Sequence, residues 1–180
     1  ICFDPSHNPA EGLPIIGMRA DMEHRFTVSI KTEAGEAVDA VALTYRTPEL
    51  SHDTVDMPNV QLITANPDAM EQGYTLLSIR RSSLNRQHWA TPAQSEFEER
   101  WGLIAAFDEE GEVVWTYLSD ARIAGIHQLK NGNLFFHYVD FRTVEMDMCG
   151  TIVRQFHAAN RPYGPISNSI PIEAESLHHQ

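Results

Sequence analysis

The sequence predicts an all-β protein: a small N-terminal β-sandwich followed by the first blades of an incomplete β-propeller. Three observations predict it. Two copies of a D-x-x-G turn, Asp108-Glu109-Glu110-Gly111 and Asp147-Met148-Cys149-Gly150, lie 39 positions apart, and each leads into an apolar strand, Val113-Val114-Trp115 or Ile152-Val153. A second phrase, Ile126-His127-Gln128 running into Leu129-Lys130-Asn131-Gly132-Asn133, begins again at Leu177-His178-His179-Gln180. Between these markers the chain past residue 58 is a succession of strand-sized apolar runs separated by Gly, Asp, Asn and Pro. A self-similar unit of ~40 residues built from short strands marks propeller blades or a related array, and such architectures need several units to bury a continuous core. The 180 residues therefore read as the front part of a longer protein.

Taken in order, residues 1–12 are an irregular lead-in with Pro5, Pro9 and Gly12. Arg25 to Lys31 and Ala40 to Arg46 alternate apolar and polar positions, which suits two strands with one buried face, and Glu33-Ala34-Gly35-Glu36 between them supplies turn chemistry. Pro48 and the polar cluster through Asp53 interrupt any ladder, so residues 1–58 are assigned to the sandwich-like domain and 59–180 to the blades. The blade region offers strands at Val60–Thr64, Tyr74–Ile79, Leu103–Phe107, Val113–Leu118, Ile126–Leu129, Leu134–Val139, Val144–Met146 and Ile152–Phe156. Asn131-Gly132 suits a type I′ hairpin turn, where both central residues have positive φ. Thr91 to Trp101, with Pro92 near a first turn, is the one helix-like stretch. Within the D-x-x-G copies, Asp caps the backbone, Gly takes the left-handed position and Trp115 anchors the core, so these residues report architecture rather than catalysis.

Composition narrows the function. The net charge is −12 and no basic run of five or more residues occurs, which disfavours nucleic acid and anionic membrane surfaces as partners. No stretch has the ~18 to 20 apolar residues of a membrane span. The two cysteines, Cys2 and Cys149, permit one disulfide or two free thiols and define no compartment.

Histidine is the unusual content, with nine residues at positions 7, 24, 52, 88, 127, 137, 157, 178 and 179. No His-x-x-x-His spacing occurs, and although the Asn131-Gly132 hairpin would bring His127 and His137 face to face, no third ligand is placed with them, so no metal site is expected. His178-His179 is the pair that carries chemistry. Its plain readings are an exposed terminal dipeptide or the remnant of a tag. Against these, an extended lead, Ile170 to Leu177, runs into the pair, and its distance from His127 exceeds the 39-residue repeat by 13 residues that fall in the Pro/Gly/Ser-rich stretch after Phe156. Extra length in a propeller usually sits in loops over one face, and that face commonly carries function.

From Gly102 to Gln180 the chain closely resembles the bacterial and fungal arylsulfotransferases, six-bladed propeller enzymes that move a sulfuryl group between phenols. The phrases that carry the resemblance are Leu103 to Trp115, Ile126 to Asn133 and Ile170 to His179. The last is the most specific, because members carry a His-His pair after such a lead. Members usually have an acidic residue after the pair, and Gln180 departs from that. Gly73 to Leu77 is similar to the family's first blade, and residues 20–47 to its N-terminal sandwich.

The resemblance implies a ping-pong route with neither cofactor nor metal. A histidine takes the sulfuryl group from an aryl sulfate donor and passes it to a phenol acceptor; neutral imidazole suits this as a nucleophile near pH 7. By the family pattern that covalent histidine lies beyond residue 180. His179 and His178 are the site residues here, one of them a supporting imidazole at the central channel that binds sulfuryl oxygens or shuttles the phenolic proton, with His179, in register with His127, the inward one. The family implies a periplasmic or secreted location. An open partial ring exposes sheet edges, so the isolated segment is expected to be inactive and prone to association.

The alternative is a non-catalytic or quinoprotein-like propeller that serves as a binding or scaffold module. It accounts for Asp108 to Trp115, leaves His178-His179 unexplained, and expects a repeated Trp where the 39-residue shift places Arg154.

Overall fold

The structure is a computed structural model whose description covers residues 3, 7–32, 34–35, 37–83, 90–160, 166–174 and 177. The protein is all-β, with a single short α-helix among the described residues and strands in three open sheets. The strands are β1 Glu23–Lys31, β2 Ala37–Arg46, β3 Thr75–Ile79, β4 Gly102–Phe107, β5 Val113–Ser119, β6 Ile123–Gln128, β7 Leu134–Tyr138, β8 Thr143–Met146, β9 Ile152–Ala158 and β10 Ile170–Ile172; the helix α1 is Pro92–Glu99. Two compact units emerge, one of Ile15–Gly73 with Phe107–Trp115, the other including Tyr74–Ala106 and the chain from Thr116 on.

In the first unit β1 and β2 form a two-stranded antiparallel sheet, in register from Glu23 opposite Arg46 to Lys31 opposite Ala37, with a bulge between Thr27 and Ser29. The register puts His24 opposite Tyr45 and Phe26 opposite Leu43, but the expected buried face is not found: Val28, Ile30, Leu43 and Tyr45 are exposed, because a sheet of two strands has no further layer of its own to pack against. Buried Thr47 closes the base of this ribbon: its N–H donates to Met22 O and its hydroxyl donates to Arg19 O at 2.6 Å. Arg19 in turn grips the first D-x-x-G turn, donating from Nε to Asp108 Oδ2 at 2.6 Å and pairing with Glu110 at 2.8 Å. Burial pushes the Asp108 carboxyl up, but the N–H of Glu112, the Arg19 guanidinium and the N–H of Glu110 outweigh it and hold the group below the usual carboxylate range. Val60 to Thr64 is not a strand. An apolar run forms a ladder only where a neighbour supplies hydrogen bonds, and this one finds none among the described residues; Leu62 lies instead against the turn, where a Cβ on Gly111 would come within 3.1 Å of it.

In the second unit, α1 starts where Thr91 and Gln94 exchange side-chain and backbone hydrogen bonds as a capping box, with Pro92 in the first turn. β3, β4 and β5 are neighbours in that order in a three-stranded sheet, of which Phe107 and Val113–Trp115 belong to the first unit, and all six residues of β4 are buried. The larger sheet runs β10-β9-β8-β7-β6, with β6 to β9 an antiparallel meander and β10 parallel to β9. β6 begins at Ile123, earlier than the expected Ile126, and β10 was expected only as extended chain. One face of the meander carries Ile123, Leu134, Phe136, Tyr138, Val144 and Met146, all buried. At the rim of this core the Tyr117 and Tyr138 hydroxyls meet at 3.0 Å; burial and that contact push the Tyr138 hydroxyl well above the usual tyrosine range.

Four hairpin turns share one backbone plan. In 108–112, 129–133, 138–142 and 147–151 the first residue's N–H donates to the fifth residue's carbonyl, and the fourth residue's N–H donates back to the first carbonyl. The fourth residue has positive φ in every case: Gly111 (80°), Gly132 (87°), Phe141 (74°) and Gly150 (88°). This is the three-residue loop that ends in a left-handed residue, so Asn131-Gly132 is not a type I′ turn, which would need positive φ at Asn131 as well. The D-x-x-G reading holds for the turn itself: Asp108 Oδ1 accepts the N–H groups of Glu110 and Glu112, and Asp147 Oδ1 those of Cys149 and Thr151. Trp115, expected to anchor the core, is only half-buried, and Val113 and Val114 are the buried apolar residues of that strand.

Phe141 stands where the sister turns have glycine. A side chain in the left-handed region costs ~1–2 kcal/mol, partly offset on substitution by the ~0.5–1 kcal/mol entropy that a glycine loses on folding. Phe141→Gly is expected to stabilise the protein by about 0.5–1 kcal/mol. A rise in the denaturant midpoint at unchanged slope checks it; a fall would mean that contacts of the Phe141 ring outweigh the strain.

Candidate functional site

The sequence-predicted site residues His178 and His179 lie outside the described residues. Ahead of them, Ile170–Ile172 forms β10, with Ile170 opposite Phe156 and Ile172 opposite Ala158. The described histidines past residue 58, His127, His137 and His157, lie on the large sheet.

Opposed residues in a ladder share a face, so the register defines the meander's second face. One row across it is His127, Phe135, Glu145 and Arg154; the next holds His137, Thr143 and Phe156. His127 therefore lies opposite Phe135, not His137, because a register shift between Ala124 and His127 moves the pairing; His137 lies opposite Ala124. His127 is exposed at the end of β6. His137 Nδ1 lies 2.7 Å from Thr143 Oγ1, and the His137 ring meets Phe135 edge-on. Phe135 and Phe156 meet at a tilt with centroids 6.1 Å apart, so half-buried rings surround the buried Thr143.

Glu145 is the buried charge of this face, 6% exposed on β8. Its Oε1 accepts the side-chain amides of Asn131 (2.9 Å) and Asn133 (2.7 Å), and its Oε2 lies 3.8 Å from Arg154. The amides of Asn133 and Asn131, aided by Arg154 and opposed by burial, hold the carboxyl below the usual range. Sequence reasoning saw Asn-Gly-Asn as turn chemistry alone; the acidic residue that its amides require lies 12 positions downstream and carries no local signal.

His157 is buried on β9. Its Nδ1 is 2.6 Å from Ser169 Oγ, whose single proton goes to Ile166 O at 2.8 Å, so the serine accepts and Nδ1 carries the hydrogen. A neutral His157 is therefore the Nδ1–H tautomer with its lone pair on Nε2. This pair and the bond from Gln155 Nε2 to Ser167 O tie the segment before β10 onto β9.

No group of three or more His, Cys, Asp or Glu placed to hold a metal occurs among the described residues, and Cys149 is an exposed free thiol. No helix is long and apolar enough to cross a membrane among the described residues. Comparison with protein-family models, curated proteins and solved structures finds no match to this chain.

Proposed function

We propose that this chain is the N-terminal part of an arylsulfotransferase, which transfers a sulfuryl group from an aryl sulfate to a phenol through a sulfo-histidine formed beyond residue 180. The observation that carries the reading is the phrase Ile170 to His179, which follows a four-stranded antiparallel meander whose last hairpin is the D-x-x-G turn at Asp147. A meander of this order is what one propeller blade requires. In the proposed reaction an imidazole nitrogen attacks the donor's sulfur, the S–O bond to the aryl oxygen breaks, and phenolate leaves. The acceptor phenol then loses its proton to a base and takes the sulfuryl group, which restores the imidazole. His179, with His178 beside it, would bind the sulfuryl oxygens or carry that proton. The proposed setting is periplasmic or secreted, and the proposed partners are the two small aromatic substrates. The scaffold alternative draws no support from Arg154 at the position equivalent to Trp115.

The test is turnover of 4-nitrophenyl sulfate with phenol as acceptor, by the chain extended with its coding sequence downstream. Expected are release of 4-nitrophenol, a ~10²-fold or greater fall for His179→Gln, and no turnover by residues 1–180 alone. Absence of transfer in the extended protein would overturn the reading.

A further inference from the structure

We propose that Glu145 is an acid-sensitive lock on the β6–β7 hairpin: its carboxylate holds Asn131 and Asn133 onto the sheet, and protonation releases the hairpin together with the end of β6 that carries His127. The inference does not depend on the sulfotransferase reading.

The four sister turns differ in where their side-chain acceptor comes from. In 108–112 and 147–151 the first residue's own Asp accepts two turn N–H groups. In 138–142 Asp140 at the third position accepts Arg142 N–H, and the Arg142 guanidinium neutralises it at 2.7 Å. In 129–133 the third position is Asn131, whose Oδ1 accepts Asn133 N–H at 3.1 Å. An amide has donors left over, and both Asn131 and Asn133 direct theirs to one oxygen of Glu145 on the second strand away. This turn is therefore held by a carboxylate from outside it, whereas the 108–112 turn is gripped from outside by the Arg19 cation.

The groups around the carboxylate are few. Arg154 on β9 stands 3.8 Å from Oε2, His127 on β6 lies across Phe135 in the same row, His137 on β7 sits in the next row, and Asp147 lies just past the end of β8. Among the described residues only Arg154 pairs with Glu145, and its side chain is largely exposed, so the two amides do most of the holding. Because the folded-state carboxyl sits below its ordinary range near ~4.3, its contribution is fully present above that pH and is lost as pH falls through the folded value. Protonation removes the charge assistance from both amide bonds together, while the turn's two backbone bonds remain. Local opening of the hairpin should thus precede loss of the core.

Amide hydrogen exchange on the whole chain, expressed as protection factors between pH 7 and pH 3, tests it. Expected is a roughly tenfold loss of protection at Leu129 and Gly132 below about pH 4, with Phe136 and Val144 still protected, since bonds to an ionised acceptor are about twice as strong as neutral ones. In Glu145→Gln the hairpin should be weakly protected at pH 7 already and no longer respond to acid. Should that variant not fold, the Asn131→Ala and Asn133→Ala double variant, which removes the donors and leaves the carboxylate, should show the same flat profile. Simultaneous loss of protection in hairpin and core, or an unchanged acid response in either variant, would overturn the lock.

Discussion

Phe136→Ala should destabilise the second unit by ~3–5 kcal/mol. Phe136 is fully buried on β7 and its ring meets Tyr138 edge-on at 5.2 Å and Tyr117 at 6.1 Å, so truncation removes the largest fully buried side chain of the meander's buried face. The loss has two parts, the transfer free energy of the ring and the void it leaves, because neighbours held in two ladders cannot collapse far. Natural domains are stable by only ~5–15 kcal/mol, so a large share of the total goes with one ring. Equilibrium unfolding in urea, followed through a probe on β6 to β9, checks this. A loss under ~1 kcal/mol would mean that this face is not the core. Phe136→Leu, which keeps most of the apolar volume, should cost well under half as much.

Gly102→Ala should act as strongly for a different reason. Gly102 opens β4 with extended backbone, so left-handed freedom is not what it provides; the need is for space. An added Cβ would stand 2.5 Å from Ala121 O and 2.8 Å from Ile123 N, both main-chain atoms that cannot rotate aside. The segments must part at the start of β4 and β6, where Arg122 N–H also donates to Glu99 O at 2.8 Å. Overpacking of this kind costs ~1–3 kcal/mol and occasionally more, and contact with fixed backbone belongs at the upper end. A thermal midpoint within a degree or two of the parent would show that the two segments are not packed this closely. Gly132→Ala is the contrast, since no atom lies within 4 Å of the added Cβ and the cost is that of left-handed φ, ~1–2 kcal/mol, less the ~0.5–1 kcal/mol of entropy that the glycine loses on folding.

Several strand positions were legible as short apolar runs bounded by turn residues. Leu103 to Phe107, Val113 to Leu118 and Val144 to Met146 each lie within an observed strand, and Thr91 with Pro92 marks the start of the helix. The pattern failed at Val60 to Thr64 because apolar content describes a wish for burial, whereas a strand also needs a partner's hydrogen bonds. It failed at the Asn131-Gly132 turn because the same dipeptide serves two loop lengths; the choice was made by Asn133, whose carbonyl accepts Leu129 N–H. It missed Phe141 as a left-handed residue, since nothing in Asp140-Phe141 departs from ordinary loop composition.

What the sequence by itself determined is the class and its punctuation: all-β, short strands, and a repeated Asp-to-Gly turn whose shared plan of hydrogen bonds closes within five residues. Local bonding between near neighbours is encoded locally, and so it is readable. Only the tertiary structure decided which side chains meet across strands: His127 with Phe135 rather than His137, Glu145 with the two asparagines, and His157 with Ser169. A shift of a single residue in register exchanges every such partner, and register is set by the burial of a whole face, a property that no single segment carries.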